Sequence, residues 1–122
     1  MFKVSVQQHF DAAHYLRGYM GKCENLHGHR YQVVVTLAVK ELDRIGLAYD
    51  FVALKRHLTE VLERFDHICL NDVPPFDRIN PSSENIATII CEELQKRQLP
   101  ISSIQVCESP DCCVTYIPDE TG

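Results

Sequence analysis

The sequence predicts an α+β fold in which an antiparallel four-stranded sheet carries two helices on one face. Segments with the period-two alternation of strands lie towards both ends of the chain, and segments with helical periodicity are grouped in its middle. Of the 122 residues, 45% are hydrophobic and 24% are charged, which argues against disorder. A chain of this length has room for one hydrophobic core, so we expect a single domain over residues 1–122.

The first two predicted strands lie in the first third of the chain. Over residues 2–10, apolar and polar side chains alternate from Phe2 to Phe10, as in a half-buried strand. Residues 31–39 are rich in Val, Thr and Leu and indicate a more deeply buried strand. A turn is expected at residues 43–46, after which residues 47–49 are expected to pair back as a short strand.

Two helices are predicted in the middle of the chain. Apolar residues spaced three and four apart over residues 51–65 share one helical face, and Asp50 is a suitable N-cap. The stretch Ser-Ser-Glu at 82–84 places capping serines and an acid at the start of a second helix, whose apolar positions extend to Leu94. The prolines between the helices predict a loop over residues 71–81.

Two closing strands, residues 103–108 and 113–117, complete the predicted sheet. Because both helices are expected on one face, the second face of the sheet should be uncovered, and we expect it to be apolar and bounded by two open edges. Sheets with such faces and edges bury them by assembling. We therefore expect a homo-oligomer in which several copies close into a barrel.

Charge and hydropathy exclude several kinds of partner. A formal net charge of −5 opposes the attraction on which nucleic-acid binding depends. The chain has no apolar run of roughly eighteen residues and no apolar signal region at its start, so we expect a cytoplasmic protein without membrane contact. A small ligand is expected rather than a polymer, and an anionic ligand stays an open alternative that depends on clustering of Arg17, Lys22 and Arg30. Without a secretion signal, the six cysteines are expected to be free thiols.

Three histidines are candidate metal ligands. His27 and His29 are two residues apart at the entry to a predicted strand, so their imidazoles leave the same face, with Gly28 between them. On its own, this pair favours ordinary surface or core histidines over metal binding. His14, just after the first strand, could supply a third nitrogen, and three histidines with an open fourth position are typical of catalytic zinc.

Four other side chains are suited to proton transfer or ligand binding. Cys23 is equally well explained as a small buried hydrophobe and as a base or nucleophile beside a cation. Asp66 could orient His67 for proton transfer, although a histidine near a helix C-terminus is favourably placed without any function. Glu108 lies on the apolar face of its predicted strand, where it either reaches solvent or accepts N–H groups of a heterocycle.

Six motifs, taken in order, resemble the 6-pyruvoyl-tetrahydropterin synthase family nearly from end to end. They are FDAAH at 10–14, C-x-x-x-HGH at 23–29, YDF at 49–51, FDH-x-x-LN at 65–71, NPSSEN at 80–85 and ESP at 108–110. The likeness is greatest to its bacterial branch, the 6-carboxy-5,6,7,8-tetrahydropterin synthases of queuosine (7-deazaguanine) biosynthesis.

The resemblance implies a tunnelling fold, in which sheets from several subunits close into a barrel, commonly as a hexamer of two trimers with active sites at subunit interfaces. It also implies roles for seven residues. By this resemblance, Cys23 is the catalytic thiol, Asp66 and His67 form a proton-transfer pair, and Glu108 anchors the pterin ring. The Zn²⁺ ligands would be His14, His27 and His29.

The implied substrate is 7,8-dihydroneopterin triphosphate. With zinc as a Lewis acid that acidifies the neighbouring C–H group, Cys23 would move a proton and His67 would serve as its counterpart. Triphosphate would leave by elimination. Loss of the outer two side-chain carbons as acetaldehyde would then give 6-carboxy-5,6,7,8-tetrahydropterin.

Glu24, next to Cys23, leaves alternatives open. A related branch lacks the cysteine and uses a glutamate near this position to form 6-hydroxymethyl-7,8-dihydropterin for folate synthesis. That activity, alone or beside the first, is one alternative, and 6-pyruvoyl-tetrahydropterin synthase activity is another, but Glu24 is equally well explained as a solvated loop residue. A non-catalytic zinc- or pterin-binding oligomer is a further alternative, against which the thiol and the Asp66–His67 pair count.

Overall fold

The computed structural model describes residues 1–18 and 25–119 and has the predicted α+β class. Its elements are the strands β1 (Phe2–His14) and β2 (His27–Val39), the helix α1 (Phe51–Leu62), the strand β3 (Ile68–Cys69), the helix α2 (Ser83–Gln95) and the strands β4 (Ile101–Ser109) and β5 (Cys112–Tyr116). The strands form one sheet in the order β3-β1-β2-β4-β5. Helix α1 packs on β1, and α2 packs on β4 and β5.

The sheet differs from the predicted one in the number and direction of its strands. β1 and β2 pair antiparallel from Phe2 opposite Val39 to His14 opposite His27, and β4 and β5 continue the antiparallel order. β3 is a fifth strand that runs parallel to β1. The prediction of four antiparallel strands was wrong, because a strand of 2 residues is too short to show a period-two pattern.

The predicted short strand at residues 47–49 is not formed, because this segment is hydrogen-bonded within its own turn. The main-chain N–H of Asp43 donates to the carbonyl of Leu47 at 2.8 Å. The Oδ1 atom of Asp43 accepts from the N–H groups of Ile45 and Leu47, each at 2.9 Å. Gly46 has a φ of 88°, which side-chain-bearing residues seldom adopt. The turn is therefore confirmed and the strand is not.

Both helices begin where their capping side chains predicted. Oδ1 of Asp50 accepts a hydrogen bond from the N–H of Val52 at 2.9 Å, and Oγ of Ser82 accepts one from the N–H of Asn85 at 3.1 Å. The last predicted turn of α1 is a 3-10 turn, Glu63–Phe65. Within residues 1–18 and 25–119, no helix has the length and apolar character needed to cross a membrane.

The hydrophobic core lies between the helices and the sheet face beneath them, and it continues into the histidine cluster. Phe10 stacks on Tyr31 with ring centroids 4.9 Å apart and contacts Phe65 at 6.2 Å. Tyr31 in turn lies edge-on to the rings of His14 and His29, at 5.6 Å from each. Phe10, Tyr31 and Phe65 are all buried. The aromatic cluster thus supports the ends of β1 and β2 that carry these histidines.

Replacing Phe10 with alanine is expected to lower the free energy of unfolding by about 3–5 kcal/mol, since it leaves a cavity beneath Tyr31. Phe51→Ala is the matched control, because the Phe51 ring is 63% exposed, and it should change stability by about 0.5 kcal/mol or less. Urea denaturation of the two variants measures the difference. Equal losses would contradict the assignment of Phe10 to the core.

The second face of the sheet carries neither helix, as predicted, but most of its side chains are polar. The alternating positions on this face include Lys3, Ser5, Gln7, His9, Asp11, Arg30, Gln32, Thr36, Ser103 and Gln105. Val34 and Ala38 are among its few apolar residues. The prediction of an apolar second face was wrong, because the same alternation that buries one side of each strand places polar residues on the other.

One pair of cysteines departs from the predicted free thiols. Cys107 and Cys113 form a disulfide between β4 and β5, because the strand register places them opposite each other. Among the described residues, Cys69, Cys91 and Cys112 are free. Burial raises the pKa of Cys91 to about 11, so its reactive thiolate form is scarce at neutral pH.

Candidate metal centre and active site

Three histidines meet at the end of the sheet where β1 finishes and β2 begins. His14 is the direct partner of His27 across the two strands, and His29 lies opposite Ala12. Because side chains alternate along a strand, all three imidazoles project to the face that the helices cover. The three histidines that the sequence singled out as candidate metal ligands therefore lie together.

The three rings face one another closely. The Nε2 atoms of His14 and His27 are 3.1 Å apart. Ring centroids are separated by 4.6 Å for His14 and His27, 5.2 Å for His14 and His29, and 4.6 Å for His27 and His29. The mutual interplanar angles are steep, between 62° and 88°. The rings therefore meet edge to face around a common point.

Glu108 of β4 joins this cluster. Its Oε2 atom lies 3.2 Å from Nε2 of His29 and 3.9 Å from Nε2 of His14. The carboxylate projects from the core-facing side of β4, as the strand alternation predicted. One ligand atom from each of the four residues lies within 4.8 Å of the others, so together they form a group that could hold a metal ion.

Main-chain carbonyl groups fix the orientation of two of the rings. Nδ1 of His14 is 2.8 Å from the carbonyl of Pro81, and Nδ1 of His27 is 2.6 Å from the carbonyl of Asn25. Because a carbonyl only accepts, each Nδ1 carries the proton, which leaves the Nε2 lone pair free in the neutral ring. This is the usual arrangement of metal-binding histidines.

The third ring and the buried environment also suit a cation. Nε2 of His29 is buried and makes no hydrogen bond of acceptable geometry, although Glu108 is close. Burial lowers the pKa of His14 and, likewise, of His29. Both rings are therefore neutral at pH 7, the form that binds metals. Three imidazoles and one carboxylate are a donor set that suits zinc, among other divalent transition metals.

Asp66 and His67 form a second cluster beside β1. Nδ1 of His67 is 3.0 Å from Oδ1 of Asp66, and the His67 side chain is 77% exposed. His67 has a φ of 61°, which costs a residue with a side chain roughly 1–2 kcal/mol. The structure thus brings together the two neighbours that the sequence singled out for proton transfer.

An open cleft of about 590 Å³ extends along the ends of three strands. Its lining residues come from β1 (Asp11, Ala12, Ala13), β2 (Gly28, His29, Arg30) and β3 with the residue before it (His67, Ile68, Cys69). A side chain at Gly28 would meet only the Ala12 carbonyl, at 3.9 Å. The cleft therefore has in its lining both His29, one member of the metal-binding group, and the exposed His67.

Several sequence-predicted residues do not belong to this cleft or are not described. Cys23 and Glu24 lie outside the described residues, as does Lys22. Arg17 and Arg30, two of the three basic residues considered for an anionic ligand, are each bonded to other groups of the chain. The guanidinium of Arg17 donates to the carbonyls of Phe76 and Ile79, and that of Arg30 pairs with Asp11.

Two asparagines of the loop before α2 support the site, and sequence reasoning left them without a role. The side chain of Asn71 pairs with both the N–H and the carbonyl of Tyr15. The side chain of Asn80 does the same with Arg17. They hold the segment after His14 against the loop that supplies the Pro81 carbonyl. Asn71 belongs to the motif FDH-x-x-LN and Asn80 to the motif NPSSEN. Their place in these motifs was the sequence feature that could have indicated a role.

The fold and the site define a class of α+β protein in which three histidines and a glutamate at one end of a sheet could hold a metal ion. Residues 3–119 match the family described as 6-pyruvoyl tetrahydropterin synthase. The chain belongs to this family of lyase-type enzymes.

Curated relatives and solved structures agree with this assignment. A putative 6-carboxy-5,6,7,8-tetrahydropterin synthase of Archaeoglobus fulgidus is 35% identical over 108 residues, covering 88% of this chain and 89% of that protein. The 6-carboxy-5,6,7,8-tetrahydropterin synthase of Bacillus subtilis is 32% identical and covers 99% and 88%. The 6-pyruvoyl tetrahydropterin synthase structure from Caenorhabditis elegans superimposes with a TM-score of 0.86 at 29% identity, covering 97% and 96%.

A more distant structure shares the fold alone. It is a Plasmodium vivax 6-pyruvoyltetrahydropterin synthase, with a TM-score of 0.67 at 19% identity that covers 97% of this chain and 98% of that one. In that protein, a glutamate described as a catalytic residue was replaced by alanine.

Proposed function

We propose that the protein converts 7,8-dihydroneopterin triphosphate and water to 6-carboxy-5,6,7,8-tetrahydropterin, with release of acetaldehyde and triphosphate. The observation that carries the proposal is the histidine–glutamate group, one member of which, His29, lines the same cleft as His67. Relatives named for this activity match most of the chain. By this proposal the enzyme serves queuosine (7-deazaguanine) biosynthesis.

The metal in this proposal is Zn²⁺, held by His14, His27 and His29. The carbonyl groups of Pro81 and Asn25 keep the Nε2 atoms of His14 and His27 free for it. When bound, zinc supplies a Lewis acid that acidifies the substrate C–H beside a coordinated oxygen. Three protein ligands would leave a fourth position for the substrate, as catalytic rather than structural zinc requires.

Glu108 is the proposed anchor for the pterin ring. A carboxylate can accept two adjacent N–H groups of a heterocycle, and such charge-assisted bonds are strong. Its Oε2 atom is 3.2 Å from His29, so a ring bound there would lie directly beside the metal. That position would place the pterin side chain, which is the reacting part, within reach of the three histidines.

Cys23 and His67 are the proposed proton carriers. The thiolate of Cys23 takes a proton from the substrate side chain, and the imidazole of His67 gives or accepts the counterpart proton. Oδ1 of Asp66 lies 3.0 Å from Nδ1 of His67, close enough to orient the ring and leave Nε2 to exchange protons. The high exposure of His67 in one chain suits an active site that a second subunit completes.

We propose a homohexamer built from two trimers that close into barrels. The outer edge of β1 pairs with β3 only at Ala12 and Ala13, so most of β1 presents an open edge. The second sheet face lacks helices, and its polar side chains suit the lining of a barrel. Light scattering should give the mass of six chains. A stable monomer would contradict the assembly.

The alternative function is cleavage to 6-hydroxymethyl-7,8-dihydropterin, and the presence of Glu24 beside Cys23 favours it. A third activity, 6-pyruvoyl-tetrahydropterin synthesis, corresponds to the family description. A purely binding role is disfavoured, because the family consists of enzymes.

Mass spectrometry of the pterin product distinguishes these activities. The zinc-loaded protein is incubated with 7,8-dihydroneopterin triphosphate, beside a Glu24→Gln variant. We expect 6-carboxytetrahydropterin and acetaldehyde from both proteins at similar rates. If the wild type forms 6-hydroxymethyl-7,8-dihydropterin and the variant does not, Glu24 is a base and the alternative is correct.

A further inference from the structure

Asp11 of β1 holds both members of the Asp66–His67 pair through its main chain. Its N–H donates to Oδ1 of Asp66 at 2.8 Å, and its carbonyl accepts from the N–H of His67 at 2.5 Å. The parallel pairing of β1 with β3 starts at the next residue, with Ala12 opposite Ile68. Asp11 alone therefore fixes the position of the Asp66–His67 pair relative to the sheet.

The side chain of Asp11 is in turn held by Arg30, its direct partner on β2. Nε of Arg30 is 2.9 Å from Oδ1 of Asp11, and Nη2 is 3.1 Å from Oδ2. This bidentate arrangement fixes direction as well as distance. The hydrogen bond from Arg30 lowers the pKa of Asp11, so the carboxylate is charged at neutral pH.

Asp11 is also a potential competitor for the imidazole of His67. Carboxylate oxygens of Asp11 and Asp66 and a ring nitrogen of His67 lie within 4.8 Å of one another. Arg30 donates to both oxygens of Asp11 and holds that carboxylate towards its own positive charge, which leaves Asp66 as the better acceptor for the ring N–H. Nδ1 of His67 does lie beside Asp66, at 3.0 Å from its Oδ1 atom.

The backbone conformation of His67 indicates that these contacts serve a function. Its φ of 61° lies in the left-handed region that few side-chain-bearing residues adopt. Such conformations persist where the surroundings over-determine them, and they cluster at functional sites. Here the surroundings are the main-chain bond to Asp11 and the side-chain contact with Asp66.

We propose that Asp11 and Arg30 are positioning residues for proton transfer by His67, because Arg30 occupies the Asp11 carboxylate and so reserves the imidazole for Asp66. The inference rests on the proposed function, in which His67 carries a proton, and it adds two residues to that site. Neither residue is required to touch the substrate.

Steady-state kinetics of single and reciprocal variants test the role. Asp11→Asn and Arg30→Gln keep the main-chain bonds of residue 11, and each should lower kcat roughly ten- to a hundredfold through misplacement of the ring, with KM and zinc content nearly unchanged. The reciprocal variant Asp11→Arg/Arg30→Asp restores the pair between directly opposite residues and should recover most of kcat. Lys3→Gln removes a charge at the far end of the same face and should have no effect.

A spectroscopic measurement separates this inference from the proposed function. Imidazole ¹⁵N shifts of histidine-labelled protein, with His67 assigned by its loss in His67→Gln, report which ring nitrogen carries the proton. We expect the Nδ1–H form in the wild type and a mixture of forms in Arg30→Gln. If the wild type has no pterin turnover, the proposed function fails, but the ¹⁵N shifts still test the positioning. Unchanged His67 shifts and unchanged kcat in both single variants would overturn the inference.

Discussion

Replacing His27 with alanine is expected to remove bound zinc and turnover together. His27 contributes one of three imidazoles, and its Nε2 lies 3.1 Å from that of His14. Loss of a partner outside the ligand set typically weakens metal binding 10–100-fold, so loss of a ligand should weaken it by at least about a hundredfold. Metal analysis after dialysis and a turnover assay measure the two losses. Because His27 is only partly buried, we expect the fold to survive.

His57→Ala is the matched control for this experiment. His57 lies on α1, where its ring contacts Arg97 at 3.1 Å, away from the cluster. It should keep the zinc content and turnover of the wild type. A His27→Ala protein that retained a full complement of zinc would remove His27 from the ligand set.

Replacing Cys23 with alanine should abolish turnover and leave zinc in place. A positioned acid–base group contributes about 10²–10⁴-fold to a rate, so kcat should fall by that factor. The three histidines are untouched, and metal analysis should therefore match the wild type. Parallel measurements of kcat and zinc content distinguish this outcome from the combined loss expected for His27→Ala.

Cys112→Ala serves as the thiol control, because Cys112 is free and exposed on β5. It should have wild-type activity. An active Cys23→Ala enzyme would refute the role of the thiol and would strengthen the case for Glu24 as the base.

The site was predictable to the extent that it depends on alternation along strands. Spacing alone placed His27 and His29 on one face and Glu108 on the core side of its strand. What spacing could not supply was the register between strands. That register decides that His14 lies opposite His27 and that Asp11 lies opposite Arg30. The ion pair and the proximity of Glu108 to His29 therefore emerged only from the three-dimensional structure.

The errors in the predicted fold have the same origin. β3 is held by its pairing with β1, and its 2 residues carry no pattern of their own. Residues 47–49 were predicted to pair as a strand, but the N–H of Leu47 is bonded to the side chain of Asp43 instead. The disulfide between Cys107 and Cys113 depends on the register of β4 and β5. The polar second face, in contrast, was visible in the alternation of β1 and was misjudged.

The most direct test of the proposed reaction is a zinc titration of chelator-treated protein with 7,8-dihydroneopterin triphosphate as substrate. Formation of 6-carboxytetrahydropterin, followed by mass spectrometry, should rise in proportion to added zinc and level off at one ion per chain, with equimolar acetaldehyde. Full turnover before any zinc is added, or a different pterin as the main product, would contradict the proposal that a three-histidine zinc centre supports this reaction.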